Sequence, residues 1–352
     1  MPLTVLNVGY PLARVSKATA GGAEQVLLTI DNALTRIGHR SLVLAAAGSR
    51  CHGLLLPAQV PSGNLDDAAR TEARRSFRHT LNRALERYSV DVVHMHGLNF
   101  DEYLPDCDIP ILVSLHLPLD WYAREALRCG PDVSFVCVSR DQARTAPAGM
   151  QIVRVIPNGI DLNQFRLAPR KGDYVLFMGR ICPEKGLHLA IEAAKRAHVK
   201  LLIAGTVFEY PEHREYFDNL IRPMLSANVV FLGAVGGKRK AELLAGAKCL
   251  LVPSLARETS SLIAMEALAS GTPVIAWRSG ALPEIVAEGR TGFLVMSTAE
   301  MSHAIPRAAV ISSDECRREA ERRFSSEEMV EAYLDLYVEI AQGAPIKELQ
   351  AA

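Results

Sequence analysis

Residues 249–276 read CLLVPSLARETSSLIAMEALASGTPVIA. Residues 249–252 form a short apolar run with the pattern of a buried strand, and 273–276 form another. Between them an apolar helix is predicted, with Gly271 as its terminal cap. Strand, loop, helix and strand in that order make one unit of a parallel sheet. This places Glu258 at the carboxyl end of its strand, the edge where open α/β sheets bind ligands, and Glu266 inside the helix. Carboxylates at that edge accept hydrogen bonds from hydroxyl groups, such as those of a sugar nucleotide. Two glutamates flanking a helix start serve equally well as partners of the helix dipole and of solvent.

The same rhythm runs outward in both directions. Apolar runs at 3–8, 41–45, 90–94, 111–114, 133–138 and 152–156 predict strands in the first half. Those at 174–178, 200–204, 229–232, 249–252, 273–276 and 292–295 predict strands in the second. Amphipathic segments between them complete an α/β pattern, so two Rossmann-like domains facing across a cleft are expected, with the ligand in that cleft. The break is expected near 165–173, where LAPRKGD is polar and turn-forming. That yields a first domain over 1–168, a second over 169–325, and a closing helical segment in 326–352 crossing back to the first. The closing helix carries a stripe of Met329, Tyr333, Leu336, Tyr337 and Ile340, with Ser325 and Glu328 spaced as a capping box.

Composition narrows the function. The 352 residues are 49% hydrophobic and 22% charged, which fits a globular protein large enough for two cores. With 39 basic and 39 acidic residues the net charge is zero, against a nucleic-acid binder that relies on bulk electrostatics. A local basic patch remains, because Arg70, Arg74, Arg75, Arg78, Arg83 and Arg87 crowd one predicted helix. Seven cysteines, scattered and odd in number, suggest free thiols in a reducing compartment. No basic leader precedes an apolar segment at the start, and no apolar run approaches ~18 residues. A cytoplasmic protein is expected, with peripheral attachment at the inner membrane face left open.

Two loops carry the remaining chemistry. Gly21-Gly22-Ala23-Glu24 opens a helix whose apolar face is Val26, Ile30, Leu34 and Ile37, with Gly38 as its cap. Glycines there let a phosphate approach free backbone N–H groups, or merely let strand and helix pack closely. In the second half, Gly179-Arg180-Ile181-Cys182-Pro183-Glu184-Lys185-Gly186 joins a strand to a helix. An arginine fork and a lysine point charge in such a loop make a receptor for a diphosphate. Neither loop is a Walker A or G-x-G-x-x-G sequence.

In order along the chain stand Gly21-Gly22-x-Glu24, His116, Pro157-Asn158-Gly159-Ile160-Asp161, Gly179-Arg180 with Lys185-Gly186, and Glu258 with Glu266. Gly271-Thr272-Pro273-Val274, Gly280-x-x-Pro283-Glu284 and Gly289-x-Thr291-Gly292-Phe293-Leu294-Val295 follow. This set resembles the retaining family-4 glycosyltransferases of the GT-B fold over nearly the whole chain. The resemblance implies that Arg180 and Lys185 hold the diphosphate of a sugar-nucleotide donor, with Gly22 adding a backbone N–H from across the cleft. It implies that Glu266 binds the ribose hydroxyls and Glu258 the donor sugar near the reacting carbon. Backbone amides of Ser261 and Leu262 would meet sugar or phosphate, Val235 would meet the base, and His116 would face the donor sugar. Front-face attack with retention is implied too, the acceptor proton passing to the departing phosphate.

No cofactor and no metal are expected. Asp106-Cys107-Asp108 mimics a metal-binding Asp-x-Asp but lies in a predicted turn, and His94-x-His96 lacks a third ligand and reads as ordinary strand-end histidines. Two departures bear on the donor sugar: Glu258-Thr259-Ser260-Ser261 replaces the commoner Glu-Gly-Phe-Gly, and 205–210 is not the usual glycine-rich loop. A UDP-linked hexose is favoured, with GDP-mannose second. The acceptor is expected on the first domain near 10–20, 96–103 and 118–122, where Trp121 and Tyr122 could stack on a sugar. It could be a glycan, a lipid-linked sugar or a small metabolite. Alternatives are a sugar-nucleotide epimerase or phosphorylase of the same architecture, or a non-catalytic sugar-nucleotide-binding protein.

Overall fold

The computed structural model describes residues 2–343, apart from 18, 20, 61–65, 129 and 131–132. Contacts divide the chain into two units, one formed by 1–158 with 328–352 and the other by 159–327. The first holds seven strands: β1 Thr4–Val8, β2 Arg40–Ala46, β3 Leu54–Ala58, β4 Val92–Met95, β5 Ile111–Leu115, β6 Val133–Cys137 and β7 Ile152–Val155. The second holds six: β8 Val175–Met178, β9 Leu201–Ala204, β10 Val229–Phe231, β11 Leu250–Val252, β12 Val274–Trp277 and β13 Gly292–Val295. Every pairing within these sheets is parallel.

The orders are β3-β2-β1-β4-β5-β6-β7 and β10-β9-β8-β11-β12-β13. The order in which strands are added reverses once in each sheet, between β1 and β4 and between β8 and β11. The carboxyl ends at such a reversal form the crevice that binds ligands in open α/β sheets.

Side-chain alternation along the strands builds the layers. In the first unit Leu6, Val93 and Val113 face one core with Phe77 and Leu81 of the Asp67–Arg87 helix. Val5, Val92 and Leu112 face the opposite core, with Val26, Ile30 and Leu34 of the Gly22–Arg36 helix. That second core also receives Met329, Tyr333, Leu336, Tyr337 and Ile340 from the Ser326–Ala341 helix, the stripe read from the sequence. In the second unit Leu176, Leu250 and Val274 pack on the Leu262–Ala269 and Ser313–Arg323 helices. Phe177, Leu251 and Ile275 pack on the Leu187–Arg196 and Thr298–Arg307 helices.

Several local readings differ from the sequence expectation. Strand β3 was not foreseen, because Pro57 interrupts its apolar run; it is an edge strand, where a missing N–H on the free side costs no ladder bond. Ile37 is 48% exposed rather than part of the apolar face, because the helix ends at Arg36 and Ile37 is its cap. Ser325 caps the last helix through the Glu327 N–H at 3.1 Å, and its hydroxyl meets the Glu327 carboxylate instead of Glu328 completing the box. The next amide, Ser326, is already bonded to Ile160 O at 3.0 Å.

Residues 165–173 belong to the second unit. Gly172 N donates to Gly246 O at 2.7 Å, while Lys171 Nζ reaches Ala245 O at 2.8 Å and Thr272 Oγ1 at 2.7 Å. Arg317 Nη1 adds bonds to the carbonyls of Leu162 and Phe165. The polar, turn-forming composition there serves anchoring rather than a break. The arginine-rich helix is partly neutralised, as Arg74 pairs with Glu102 at 2.5 Å and Arg75 with Glu72 at 3.2 Å.

Candidate active site

At the reversal in the second sheet, the loop after β8 carries Arg180 and Lys185 and the loop after β11 carries Glu258. Backbone bonds knit the two together: Leu255 N and Ala256 N both donate to Glu184 O, at 2.8 and 3.2 Å. Gly186, with φ +65°, makes the close approach feasible, since a Cβ there would run into the Pro253 carbonyl. Lys185 Nζ then lies 2.5 Å from Glu258 Oε1, which also accepts the Ser254 hydroxyl. Glu258 is buried; Gly280 lets the chain pass close to its backbone, and the next residue, Ala281, donates its N–H to Glu258 O at 2.7 Å.

The second glutamate has its own lysine. Glu266 projects from the Leu262–Ala269 helix, whose positions 264–269 are all buried, as expected of a segment apolar on every face. Lys240, from the neighbouring Gly237–Gly246 helix, brings Nζ to 2.6 Å from Glu266 Oε1. Burial raises the Glu266 carboxyl above its ordinary range, and Lys240 opposes that rise. The other oxygen, Oε2, is buried and has no hydrogen-bond partner among the described residues. Sequence reasoning missed Lys240. The signal lay in Gly236-Gly237-Lys238-Arg239-Lys240, a glycine loop opening a basic helix after β10.

Ser261 is the N-cap of the helix bearing Glu266, and Leu262 is its first residue, so both amides lie at its positive end. Val235 lies between β10 and the Lys240 helix, with its side chain against the core that includes Leu244 and Leu268. The second unit therefore brings Arg180, Lys185, Glu258, Ser261, Leu262 and Val235 onto the loops and helix starts that follow its strands, with Glu266 inside the helix that Ser261 opens.

Gly22 and His116 belong to the first unit. Gly21 is the N-cap of the Gly22–Arg36 helix, and a Cβ on it would fall 2.9 Å from Glu24 Cδ. The Glu24 carboxylate folds back over that helix start, so Gly21 makes room for this anion already in place. His116 follows β5 and pairs with His96, Nε2 to Nδ1 at 3.2 Å, the rings stacked within 14°.

The two strand histidines are buried members of a network rather than ordinary strand-end residues. His94 Nδ1 lies 2.6 Å from Tyr337 Oη and its Nε2 lies 2.8 Å from Ser114 Oγ, which in turn meets Tyr333 Oη at 2.8 Å. The His94 and His96 ring centroids are 3.9 Å apart. Burial pushes His116 down to about 4 and holds His94 and His96 well below the usual imidazole range, so all three are neutral near pH 7. Of the two aromatic residues expected to stack on a sugar, Trp121 is 43% exposed but Tyr122 lies in the core. Asp106 to Asp108 form a loop.

Residues 20–164 match the family described as Glycosyltransferase Family 4, and residues 161–326 match Glycosyl transferases group 1. Over 309 residues the chain is 29% identical to a phosphatidyl-myo-inositol mannosyltransferase of Mycolicibacterium smegmatis, an alignment covering 78% of this chain and 77% of that one. Its fold matches that of AviGT4, a glycosyltransferase involved in avilamycin A biosynthesis, with a TM-score of 0.74 and 27% identity over 98% of this chain and 100% of that one. Anabaena HepE, crystallised with UDP-glucose, shares the fold at a TM-score of 0.73 and 18% identity, covering 96% of this chain and 99% of that one. The chain belongs to the family-4 glycosyltransferases of the GT-B fold and is a glycosyltransferase enzyme. Among the described residues, no helix is long and apolar enough to cross a membrane.

Proposed function

We propose a retaining, metal-independent hexosyltransferase that moves a hexose from a nucleoside-diphosphate sugar to an acceptor hydroxyl. The observation that carries this reading is the pairing of one lysine with each glutamate at the ligand-binding edge of the second unit, with Glu266 Oε2 left to accept another hydrogen bond. A ribose hydroxyl is the right partner for that oxygen: it donates a hydrogen bond and adds no charge beside a carboxylate already met by Lys240.

Glu258 binds the hexose hydroxyls in this reading, and Arg180 with Lys185 binds the diphosphate. Lys185 has three N–H donors, so it can keep Glu258 while meeting a phosphate oxygen. As the anomeric C–O bond breaks, negative charge gathers on the leaving diphosphate. Arg180, Lys185 and the amides of Ser261 and Leu262 stabilise that charge without reorganising, which is the main source of rate in such sites. These cations supply the compensation that a divalent metal supplies elsewhere. The Val235 backbone meets the base. On the first unit, His116 offers a neutral imidazole to a sugar hydroxyl and Gly22 a backbone N–H to phosphate. The first unit takes the acceptor.

UDP-hexose is the favoured donor, with GDP-mannose second; one relative is named as a mannosyltransferase. The test is a thermal-shift and calorimetric panel of UDP, UDP-glucose, GDP and GDP-mannose, with and without EDTA. A ligand at 100 times its Kd stabilises the fold by about 2.7 kcal/mol. Stabilisation by one nucleotide family, unchanged by EDTA and lost in Glu266→Ala and Arg180→Ala, is the expected result. Binding that survives both substitutions in a folded protein overturns the site. An inverted anomeric proton coupling in the product, read by NMR, overturns retention.

A further inference from the structure

Built partly on the proposed donor loop is a second cluster that the transfer chemistry does not use. Cys182 and Glu184, from the loop after β8, meet His213 from the short Pro211–Glu215 helix, with one potential ligand atom from each within 4.8 Å of the other two. Cys182 is fully buried and His213 is 9% exposed. His213 Nδ1 and Glu184 Oε2 are both buried without a hydrogen-bond partner among the described residues. A buried imidazole nitrogen and a buried carboxylate oxygen left unsatisfied together are costly unless something is bound there.

We propose that Cys182, Glu184 and His213 form a binding site for a zinc-class divalent cation. Thiolate, carboxylate and imidazole are the donor types that a borderline-soft ion takes, and three such ligands leave a fourth position for water. Tetrahedral zinc bonds of about 2.0–2.3 Å bring ligand atoms to roughly 3.5 Å from one another, so small side-chain rotations close the site. On binding, the Cys182 S–H bond gives way to an S–metal bond and the proton leaves to solvent. Thiolate and carboxylate then carry two negative charges against the ion's two positive ones. This matters because the cation of Arg180 also acts on all three groups.

The ion takes no part in glycosyl transfer. Its effect is mechanical: it ties residues 182–184, between Arg180 and Lys185, to the segment that follows β9. The proposal stands independently of the donor reading, since its test reads the metal directly.

The test titrates the full-length, chelator-stripped protein with Co²⁺ and then displaces it with Zn²⁺. Expected are visible tetrahedral cobalt bands with a sulfur-to-cobalt charge-transfer band, both lost on adding Zn²⁺. Cys182→Ser removes the charge-transfer band, and His213→Asn and Glu184→Gln each weaken cobalt binding at least tenfold. Absence of any tetrahedral spectrum overturns the proposal, as does a charge-transfer band that persists in Cys182→Ser. If Cys182→Ser fails to fold, the other two variants decide, and cobalt affinity unchanged in both of them rejects the site.

Discussion

Lys240 Nζ lies 2.6 Å from Glu266 Oε1, an ion pair between two neighbouring helices made by a carboxylate that is only 6% exposed. A buried anion held by one cation, with its second oxygen unsatisfied, is stable only while that cation stays.

Lys240→Met therefore leaves Glu266 buried and unpaired. The expected loss is about 2 kcal/mol at neutral pH, below the ~3–5 kcal/mol for breaking a fully buried pair because Lys240 is partly exposed. Denaturant unfolding measures it. Lys240→Met with Glu266→Gln should recover most of the stability, since the uncompensated charge is gone. A double variant no better than the single one refutes this account.

Glu266→Gln separates binding from folding. It removes a charged acceptor while keeping shape, so nucleotide affinity should fall about 10–100-fold, the worth of one charge-assisted hydrogen bond. Isothermal calorimetry reads that loss while thermal unfolding verifies that the protein stays folded.

Arg180→Ala should lower kcat about 10²–10³-fold, the usual cost of removing one donor to developing charge. Arg180→Lys should restore only part of it, because the bidentate fork is lost. Single-turnover kinetics with saturating donor distinguishes this from weaker binding. An unchanged single-turnover rate excludes Arg180 from leaving-group stabilisation.

Gly280→Ala tests how Glu258 is held. Gly280 has φ +60°, and a Cβ there would stand 2.6 Å from the Glu258 backbone nitrogen. A loss of about 1–3 kcal/mol is expected. Reduced transfer should accompany it, because the shift displaces Glu258 directly. Full activity in this variant would show that Glu258 need not be placed tightly.

The histidine network predicts a pH dependence of stability. His116 titrates near 4 in the folded protein, against about 6.5 when exposed. A depressed folded pKa means that stability is fully present above 6.5 and is lost as pH falls toward 4, while the unfolded chain takes up the proton. His116 alone accounts for roughly 3 kcal/mol across that window at 1.36 kcal/mol per pH unit. Denaturation curves from pH 7.5 to 4 should show the decline, and His116→Asn should flatten part of it.

The sequence disclosed the strand–helix alternation because buried parallel strands must be short apolar runs. Among the described residues, twelve of the thirteen strands lie where such runs occur. The exception, Leu54–Ala58, carries Pro57 and lies half-exposed at an edge, so its pattern is diluted. Candidate site residues could be proposed from sequence where they share a loop or a helix start, as Arg180 and Lys185 do, or Glu258 and Ser261. Lys240 was not, because nothing within its own helix says that Glu266 lies beside it.

What the sequence determined alone is therefore local: element type, the apolar faces, and the loops that end strands at a ligand-binding edge. Those follow from periodicity and glycine placement, which act over a few residues. Only the tertiary structure decided which distant side chains meet: Lys185 with Glu258, Lys240 with Glu266, His94 with Tyr337, and Cys182 and Glu184 with His213. It also decided that 165–173 is anchored to the second unit. Such meetings depend on strand order and helix packing, which bring together residues that the local pattern of the chain keeps unrelated.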